Sequence, residues 1–489
     1  MKLNELLLVL PFFSTVEAID AIEINDIEMD SREVKPGNLF VCIKGYTVDG
    51  HDYVDQAIAN GAIAIIAEKK LDTSVPVITV SDTAKALAML SVKFYDYPTS
   101  KFPLLGVTGT NGKTTVTYLL EAIFHQHNKK TGVIGTIQMK IGEKAYPVKN
   151  TTPDTLFLQK MFHQMAKDQV QTAIMEVSSH ALDQGRVHGC DFDVAIFTNL
   201  SQDHLDYHQS MDDYLRAKSL LFAQLGNSYN EQTSKFAVIN VDDAASDLLI
   251  RSTAQPVITY GCDNPAQVSA ENIQLDAAKT TFTLTTPVGN IAISSRLIGM
   301  FNIYNMLAAS AAAITMHVPI TTIKAALETI SGVDGRFEPV LAGQSFATLV
   351  DYAHTPDSLE NVLQTIKGFA KGNVYVVVGC GGDRDKKKRP LMAAIALKYA
   401  DLAIFTSDNP RTEDPEAILK DMTKGLSANN YDVIVNRKEA ISYAIEQAKD
   451  DDIVLIAGKG HETYQQIGTV KYDFDDRQVA KEAIQAKEN

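Results

Sequence analysis

At 489 residues the chain is too long for a single ordinary core, so several domains are expected. Its 45% hydrophobic and 21% charged residues mark a globular protein, and a net charge of −15 excludes a general nucleic-acid binder, which needs a basic surface. Four scattered cysteines, Cys42, Cys190, Cys262 and Cys380, form no CxxC pair and suit a reducing compartment without a disulfide framework or zinc knuckle.

The opening MKLNELLLVLPFF has a lysine and an apolar run, but Glu5 stands at the start of the run and no A-x-A cleavage site follows. The run is too short to span a bilayer, so cytoplasmic residence without membrane insertion is expected. Through residue 100, β-branched runs (AIAII, VPVITV) alternate with helical stretches such as TAKALAMLSVKFY. YDYPTSKFP, with two prolines among small polar residues, reads as a linker. A second block, 101–333, contains the apolar strands TAIM and DVAIF, and its residues 267–298 alternate polar and apolar as an antiparallel appendage would. The third block, 334–489, repeats strand–helix units through ATLVDY, NVYVVVG, DLAIFTSD, YDVIVN and DIVLIAG. That alternation predicts an α/β fold with doubly wound sheets in both later blocks.

The second block opens on LLGVTGTNGKTTVTYLL. A common phosphate loop reads G-x-x-x-x-G-K-[ST], yet Val107 holds the first glycine position and glycines stand at Gly106 and Gly109. An apolar strand, a glycine turn and a helix would still leave backbone N–H groups free at a helix N-terminus, where anions are favoured. Lys113 would then reach the β/γ-phosphates of a nucleotide and Thr114 would offer a hydroxyl to magnesium. The plainer reading is a structural turn with a solvated lysine.

Polar residues gather after the apolar runs, where open α/β sheets bind ligands. TAIM leads into Glu176 and Ser178, DVAIF into Asp203 and His204, ATLV into Asp351 and His354. NVYVVVG leads into Asp383 and Arg384, DLAIFTS into Asp408-Asn409-Pro410-Arg411, and DIVLIAG into Lys459 and Glu462. One such strand end is the ordinary case; six call for a ligand.

Together these segments resemble the Mur ligases, ATP-dependent amide-forming enzymes of peptidoglycan synthesis and cell-wall biogenesis. The resemblance runs nearly end to end, through DSREVKPG, GVTGTNGKTT, NTTPD, MEVSSHAL, TNLSQDHLDYH, YLRAKSLLF, FNIYNMLAA, GRFE, VDYAHTPDSL, GGDRDKKKRP, DNPRTEDP and AGKGHETYQ. GTNGKTT is that family's own spelling of the phosphate loop. The resemblance implies three domains. Residues 1–100 would bind the UDP-substrate and 101–333 would be a central ATP-binding domain on a P-loop-type doubly wound sheet. Residues 334–489 would form a Rossmann-like domain binding the amino acid.

It also implies site residues. Gly109, Thr110, Asn111, Gly112, Lys113, Thr114, Thr115, Asn302, Asn305, Arg336 and Asp351 match ATP-binding positions. Thr114, Glu176, His204 and Lys218 match magnesium ligands, Lys218 as a carbamate formed with CO₂; with Lys113, the last three would be catalytic. Taken alone, Lys218 reads as an exposed helix lysine and His204 as a structural histidine. His204 and His208 mimic an i, i+4 zinc pair, but no H-E-x-x-H is present. Met29, Ser31, Tyr46, Thr47, Val48, Asn150, Thr151, Thr152, Ser178, Gln184 and Arg186 match UDP-substrate positions. Arg384, Asp408, Asn409, Pro410, Arg411, Gly458 and Glu462 match positions around the incoming amino acid.

The implied reaction phosphorylates the γ-carboxylate of UDP-N-acetylmuramoyl-L-alanyl-D-glutamate with ATP and Mg²⁺, and then joins it to meso-diaminopimelate. Arg411 suits the extra carboxylate of that amino acid. L-lysine as the amino acid, or a folylpolyglutamate synthase-like activity, are the competing readings. The chain is expected to act as a monomer.

Overall fold

The computed structural model describes residues 1–45, 48–148, 150–229, 234–275, 279–330 and 332–488. It contains two compact units. The first comprises Met1–Gly106, Lys129–Ala195 and Ala223–Lys235, and the second Val107–Asn128, Ile196–Phe222 and Phe236–Asn489.

In the first unit four parallel strands lie in the order Asp26–Glu28, Asn38–Val41, Ala62–Ala67, Val77–Thr79. The near-continuous apolar character of the two central strands, Asn38–Val41 and Ala62–Ala67, follows from burial on both faces. Leu39, Val41, Ala64 and Ile66 pack with Leu3, Leu6, Leu7, Leu87 and Leu90, whereas Phe40, Cys42, Ile65 and Ala67 pack with Val34, Val54 and Ala57. The start of the apolar N-terminal run is core: helix Leu3–Leu7 buries three of its leucines, whereas Leu8 and Phe12 are exposed. Among the described residues no helix is long and apolar enough to cross a membrane. The stretch read as a linker is a tight, partly buried turn. Tyr95 donates to Asp26 Oδ1 at 2.6 Å, and Phe102 packs 6.2 Å from Phe162 between ring centroids.

The first unit also holds strand Thr131–Ile134, parallel to Thr172–Glu176 and antiparallel to Met139–Ile141. Helix Thr155–Lys167 starts at Asp154, whose side chain accepts from Phe157 N at 2.9 Å and satisfies one of the helix's free N–H groups.

In the second unit, Phe236–Asn240, Val257–Gly261 and Val268–Leu275 run parallel, and Thr280–Thr286 and Gly289–Ser295 extend them antiparallel. The expected appendage is present, and Thr280–Thr286 alternates buried and half-buried residues as a one-sided strand must. Further on, six strands lie in the order Glu338–Pro339, Ala347–Asp351, Ile453–Ala457, Val374–Val378, Leu402–Phe405, Tyr431–Val433. All neighbours are parallel except the first pair. One face packs Leu349, Val376, Val378, Phe405 and Leu455; the other packs Val350, Val377, Ile404, Val454 and Ile456. Parallel strands end on the same side, so the loops after Asp351, Val378, Phe405 and Ala457 are brought to one edge.

Beneath that edge, Arg437 and Asp476 form an ion pair at 2.6 Å with both side chains at 0% exposure. Arg437 also donates to Ala457 O at 2.9 Å, tying the end of a central strand to two helices.

The four cysteines are free thiols. Burial raises all four, Cys380 to about 12 and Cys262 to about 11.

Candidate active site

Strand Leu104–Thr108 turns through Gly109–Gly112 into helix Lys113–Gln126. Gly112 caps that helix at φ +87°, and a side chain there would run into Asn305 Oδ1, so both conformation and space require glycine. The loop is held from beneath: Thr110 N donates to Asn199 O at 2.8 Å, Asn111 N to Asn199 Oδ1 at 2.9 Å and Thr198 Oγ1 to Asn111 O at 2.6 Å. Lys113 folds back over it, donating to Gly109 O at 2.9 Å and Thr110 O at 2.8 Å. Thr114 and Thr115 lie buried in the first helical turn. The loop has the strand–glycine–helix form that the sequence pattern anticipates, with the helix N-terminus at its end.

Arg336 reaches this helix, donating from Nη2 to Thr114 Oγ1 at 3.2 Å while its guanidinium stacks 4.5 Å from the Tyr352 ring. Asn305 beside Gly112 donates to Asn302 Oδ1 at 3.3 Å. Asp351 accepts from Phe337 N and Ala353 N, each at 2.7 Å. Burial pushes the Asp351 carboxyl up to about 6, against the opposing pull of Arg336.

Lys218 is not the exposed helix lysine its local sequence suggests. Its side chain is 1% exposed, with Nζ 4.2 Å from the centre of the Tyr214 ring. Burial, and then the neighbouring charge of Lys113, drive its amine well below the ordinary lysine range. A neutral amine is the form that CO₂ can carbamylate. His204, at φ +56°, stands 3.3 Å from Asp203 Oδ2 through Nε2, and its ring contacts Tyr214. His208 is buried and lies 3.5 Å from Asp213. Among the described residues no group of three or more His, Cys, Asp or Glu forms a metal cluster.

At the edge of the six-stranded sheet the loop Asp408–Arg411 is fixed on every side. Asn409 Oδ1 accepts from Gln466 N at 2.8 Å, Gln465 Nε2 donates to Asp408 O at 2.7 Å, and Gly382 N donates to Asn409 O at 2.9 Å. Gly458 stands at φ +112°, and a Cβ there would come within 2.8 Å of Asp408 Oδ2. Pro410 is buried. Arg411 adopts φ +51°, is bridged to Ile467 and donates from Nη1 to Gly382 O at 2.6 Å. It forms no ion pair among the described residues. Glu413, the partner the local sequence offers, is taken by Arg389 at 2.8 Å and Lys386 at 3.0 Å. Arg384 is exposed and donates to Asp383 O at 3.0 Å. Glu462 accepts from Asn409 Nδ2 at 2.8 Å and Lys459 Nζ at 3.0 Å.

In the first unit, Glu176 ends its strand fully buried and accepts from Thr136 N at 2.8 Å and Thr136 Oγ1 at 2.9 Å. Thr151 Oγ1 lies 3.1 Å from Thr136 Oγ1, and Thr152 Oγ1 donates to Glu176 O at 2.8 Å. Ser178 N donates to Thr152 Oγ1 at 3.0 Å, and Arg186 donates to Thr152 O at 3.1 Å and to Gln184 Oε1 at 2.9 Å. Thr151, Thr152, Ser178, Gln184 and Arg186 thus form one polar cluster, with Asn150 exposed at its edge. Elsewhere in the unit, Ser31 donates to Gln56 Oε1 at 2.9 Å, Met29 packs partly buried on the core, and Val48 is exposed. Tyr46 and Thr47 lie outside the described residues.

Residues 23–95 match the catalytic domain of the Mur ligase family, 107–313 the Mur ligase middle domain and 335–460 the Mur ligase glutamate ligase domain. A UDP-N-acetylmuramoyl-L-alanyl-D-glutamate--2,6-diaminopimelate ligase of Oceanobacillus iheyensis is 65% identical over 491 residues, covering all of both chains. The chain belongs to the Mur ligase family. A solved structure of a ligase with that same name superposes with a TM-score of 0.72 at 36% identity, over 99% of each chain. Mycobacterium tuberculosis folylpolyglutamate synthase complexed with ADP shares the fold, with a TM-score of 0.65 at 18% identity over 77% of this ligase and 92% of the synthase.

Some of the ligase's polar architecture escaped the sequence reading. Asp357, in the first turn of helix Pro356–Phe369, accepts from Asn111 Nδ2 and Ser201 Oγ, each at 2.8 Å. The hairpin Tyr464–Ile467 and Val470–Asp473 supplies Gln465 and Gln466 to the Asp408–Arg411 loop. A Thr-Pro-Asp helix start and a short polar hairpin carry no local sign of such long-range partners.

Proposed function

We propose that this ligase uses ATP to add meso-diaminopimelate to the γ-carboxylate of the D-glutamate in UDP-N-acetylmuramoyl-L-alanyl-D-glutamate. The observation that carries the choice of amino acid is Arg411. Its planar fork is anchored through one nitrogen to a backbone carbonyl, and among the described residues it forms no ion pair with a carboxylate. Meso-diaminopimelate differs from L-lysine by one carboxylate at the far end of the side chain, and a guanidinium is the natural bidentate partner for it. The name of the 65%-identical relative agrees.

A carboxylate does not accept an amine at neutral pH, so the reaction proceeds through an acyl phosphate. The γ-phosphoryl group of ATP passes to the carboxylate, the amine attacks the acyl carbon, and phosphate leaves from the tetrahedral intermediate. Lys113, the loop N–H groups and Arg336 neutralise charge on the nucleotide phosphates, and Asn302, Asn305 and Asp351 orient the nucleotide. The polar cluster of Thr151, Thr152, Ser178, Gln184 and Arg186, with Met29, Ser31, Val48 and Asn150, binds the UDP-substrate. Thr114, His204 and Lys218, as its carbamate, are the proposed magnesium ligands of the second unit. The hydroxyl and carbamate oxygens suit a hard cation, with His204 adding a less usual nitrogen. Magnesium, when bound, offsets the negative charge of the phosphates.

ADP release with the UDP-dipeptide and a panel of amino acids tests this reading. Turnover should require both substrates; release independent of either would overturn it.

A further inference from the structure

Lys459 lies in the turn between Gly458 and Glu462, and its side chain is 0% exposed. An ammonium taken out of water is costly unless paired and hydrogen-bonded. Its Nζ donates to Glu462 Oε2 at 3.0 Å and to Asn409 Oδ1 at 3.1 Å, and stands 5.4 Å from the centre of the Tyr464 ring. Asn409 closes the triangle by donating from Nδ2 to the same Glu462 oxygen at 2.8 Å. Asn409 is itself fixed by Gln466 N at 2.8 Å. One oxygen of Glu462 is therefore held twice, and no hydrogen bond among the described residues reaches Oε1.

The same ammonium acts on Asp408. Burial alone would raise that carboxyl, yet it is held below its ordinary value, by Lys459 first and Arg437 next. Arg437 is already engaged with Asp476 at 2.6 Å. Lys459 thus favours the ionised form of Asp408 while its ammonium is hydrogen-bonded to Glu462.

We propose that Lys459 is a positioning residue for the incoming amino acid. Braced by Asn409, it pins Glu462 Oε2 and leaves Oε1 to accept the substrate's ammonium. The inference rests on the proposed ligase reading and on the match of Glu462 to a position around the incoming amino acid. Lys459 touches no reacting atom in this scheme, so its loss should appear in amino-acid binding rather than in nucleotide binding.

The test is steady-state kinetics of the full-length Lys459→Met variant, which keeps the stem and removes the charge. Truncating one member of a buried, hydrogen-bonded charge pair should raise KM for meso-diaminopimelate roughly 30-fold or more. KM for ATP and for the UDP-dipeptide should stay within about twofold, because their contacts are untouched. Should Lys459→Met not fold, Lys459→Gln, which keeps a donor in a similar volume, is judged by the same criteria. An unchanged amino-acid KM, or an equal rise in all three KM values, would overturn the proposal with the ligase reading intact. A wild-type enzyme inactive toward these substrates would overturn that reading, and this proposal with it.

Discussion

Asn111 in the phosphate loop donates to Asp357 Oδ2 at 2.8 Å across 246 residues of sequence, and Ser201 reaches the same oxygen at 2.8 Å. A helix start of the six-stranded-sheet region thereby holds the glycine-rich loop proposed to bind the nucleotide. Asp357→Ala would leave two polar side chains without their acceptor, at a cost of about 1–3 kcal/mol. The expected result is a lower melting temperature together with faster amide hydrogen exchange in the peptide covering residues 109–113. Unchanged exchange there would show that Asp357 does not restrain the loop.

Lys113→Ala should abolish turnover while leaving the fold intact. Removing a preorganised donor to developing phosphate charge lowers kcat by about 100-fold or more. Circular dichroism would report the fold and ADP release the rate; near-normal ADP release would contradict the role given to Lys113.

Lys218→Ala should be inactive for a different reason, the loss of an anion that the modified lysine supplies. Acetate or another short carboxylate added at millimolar concentration is expected to restore part of the activity, because the cavity left by the side chain can admit it. Full activity in the unsupplemented variant would sink the carbamate assignment, and intact-mass analysis under bicarbonate would check it independently.

Asp351 predicts a pH effect. Its folded value of about 6 lies above the ordinary carboxylate value, so between about pH 4 and 6 the folded state binds the extra proton. Stability from this residue is therefore present at low pH and lost as pH rises through 6, by up to ~3 kcal/mol. The melting temperature of wild type relative to Asp351→Asn should fall from pH 4 to pH 7. A difference that is flat with pH would contradict the assigned shift.

Much of this was legible because strand ends in an α/β sheet are where apolar runs stop and polar residues begin. TAIM, ATLV and DIVLIAG announced both their strands and the residues that follow. The strand–turn–helix form around Gly109–Lys113 was legible from its apolar run, glycines and helical spacing despite the unusual spelling. Lys218 and Lys459 were not legible in the same way. Each sits in a segment whose local pattern allows a solvated lysine, and their burial depends on elements far away in sequence. The Arg437–Asp476 pair is hidden for the same reason: two helix starts, 39 residues apart, meet under a strand end. The YDYPTSKFP turn shows the converse, since local composition suggested a linker while Tyr95 and Phe102 pack into buried surroundings.

The assignment of the amino acid turns on Arg411, and one comparison tests it most directly. The ratio of kcat/KM for meso-diaminopimelate to that for L-lysine should be measured in the wild-type enzyme and in Arg411→Ala. A guanidinium left without a carboxylate partner disfavours lysine by about 2–5 kcal/mol, so the wild-type ratio should be roughly 30 or more and should collapse in the variant. Comparable kcat/KM values for the two amino acids in the wild type, or a preference that survives Arg411→Ala unchanged, would contradict it.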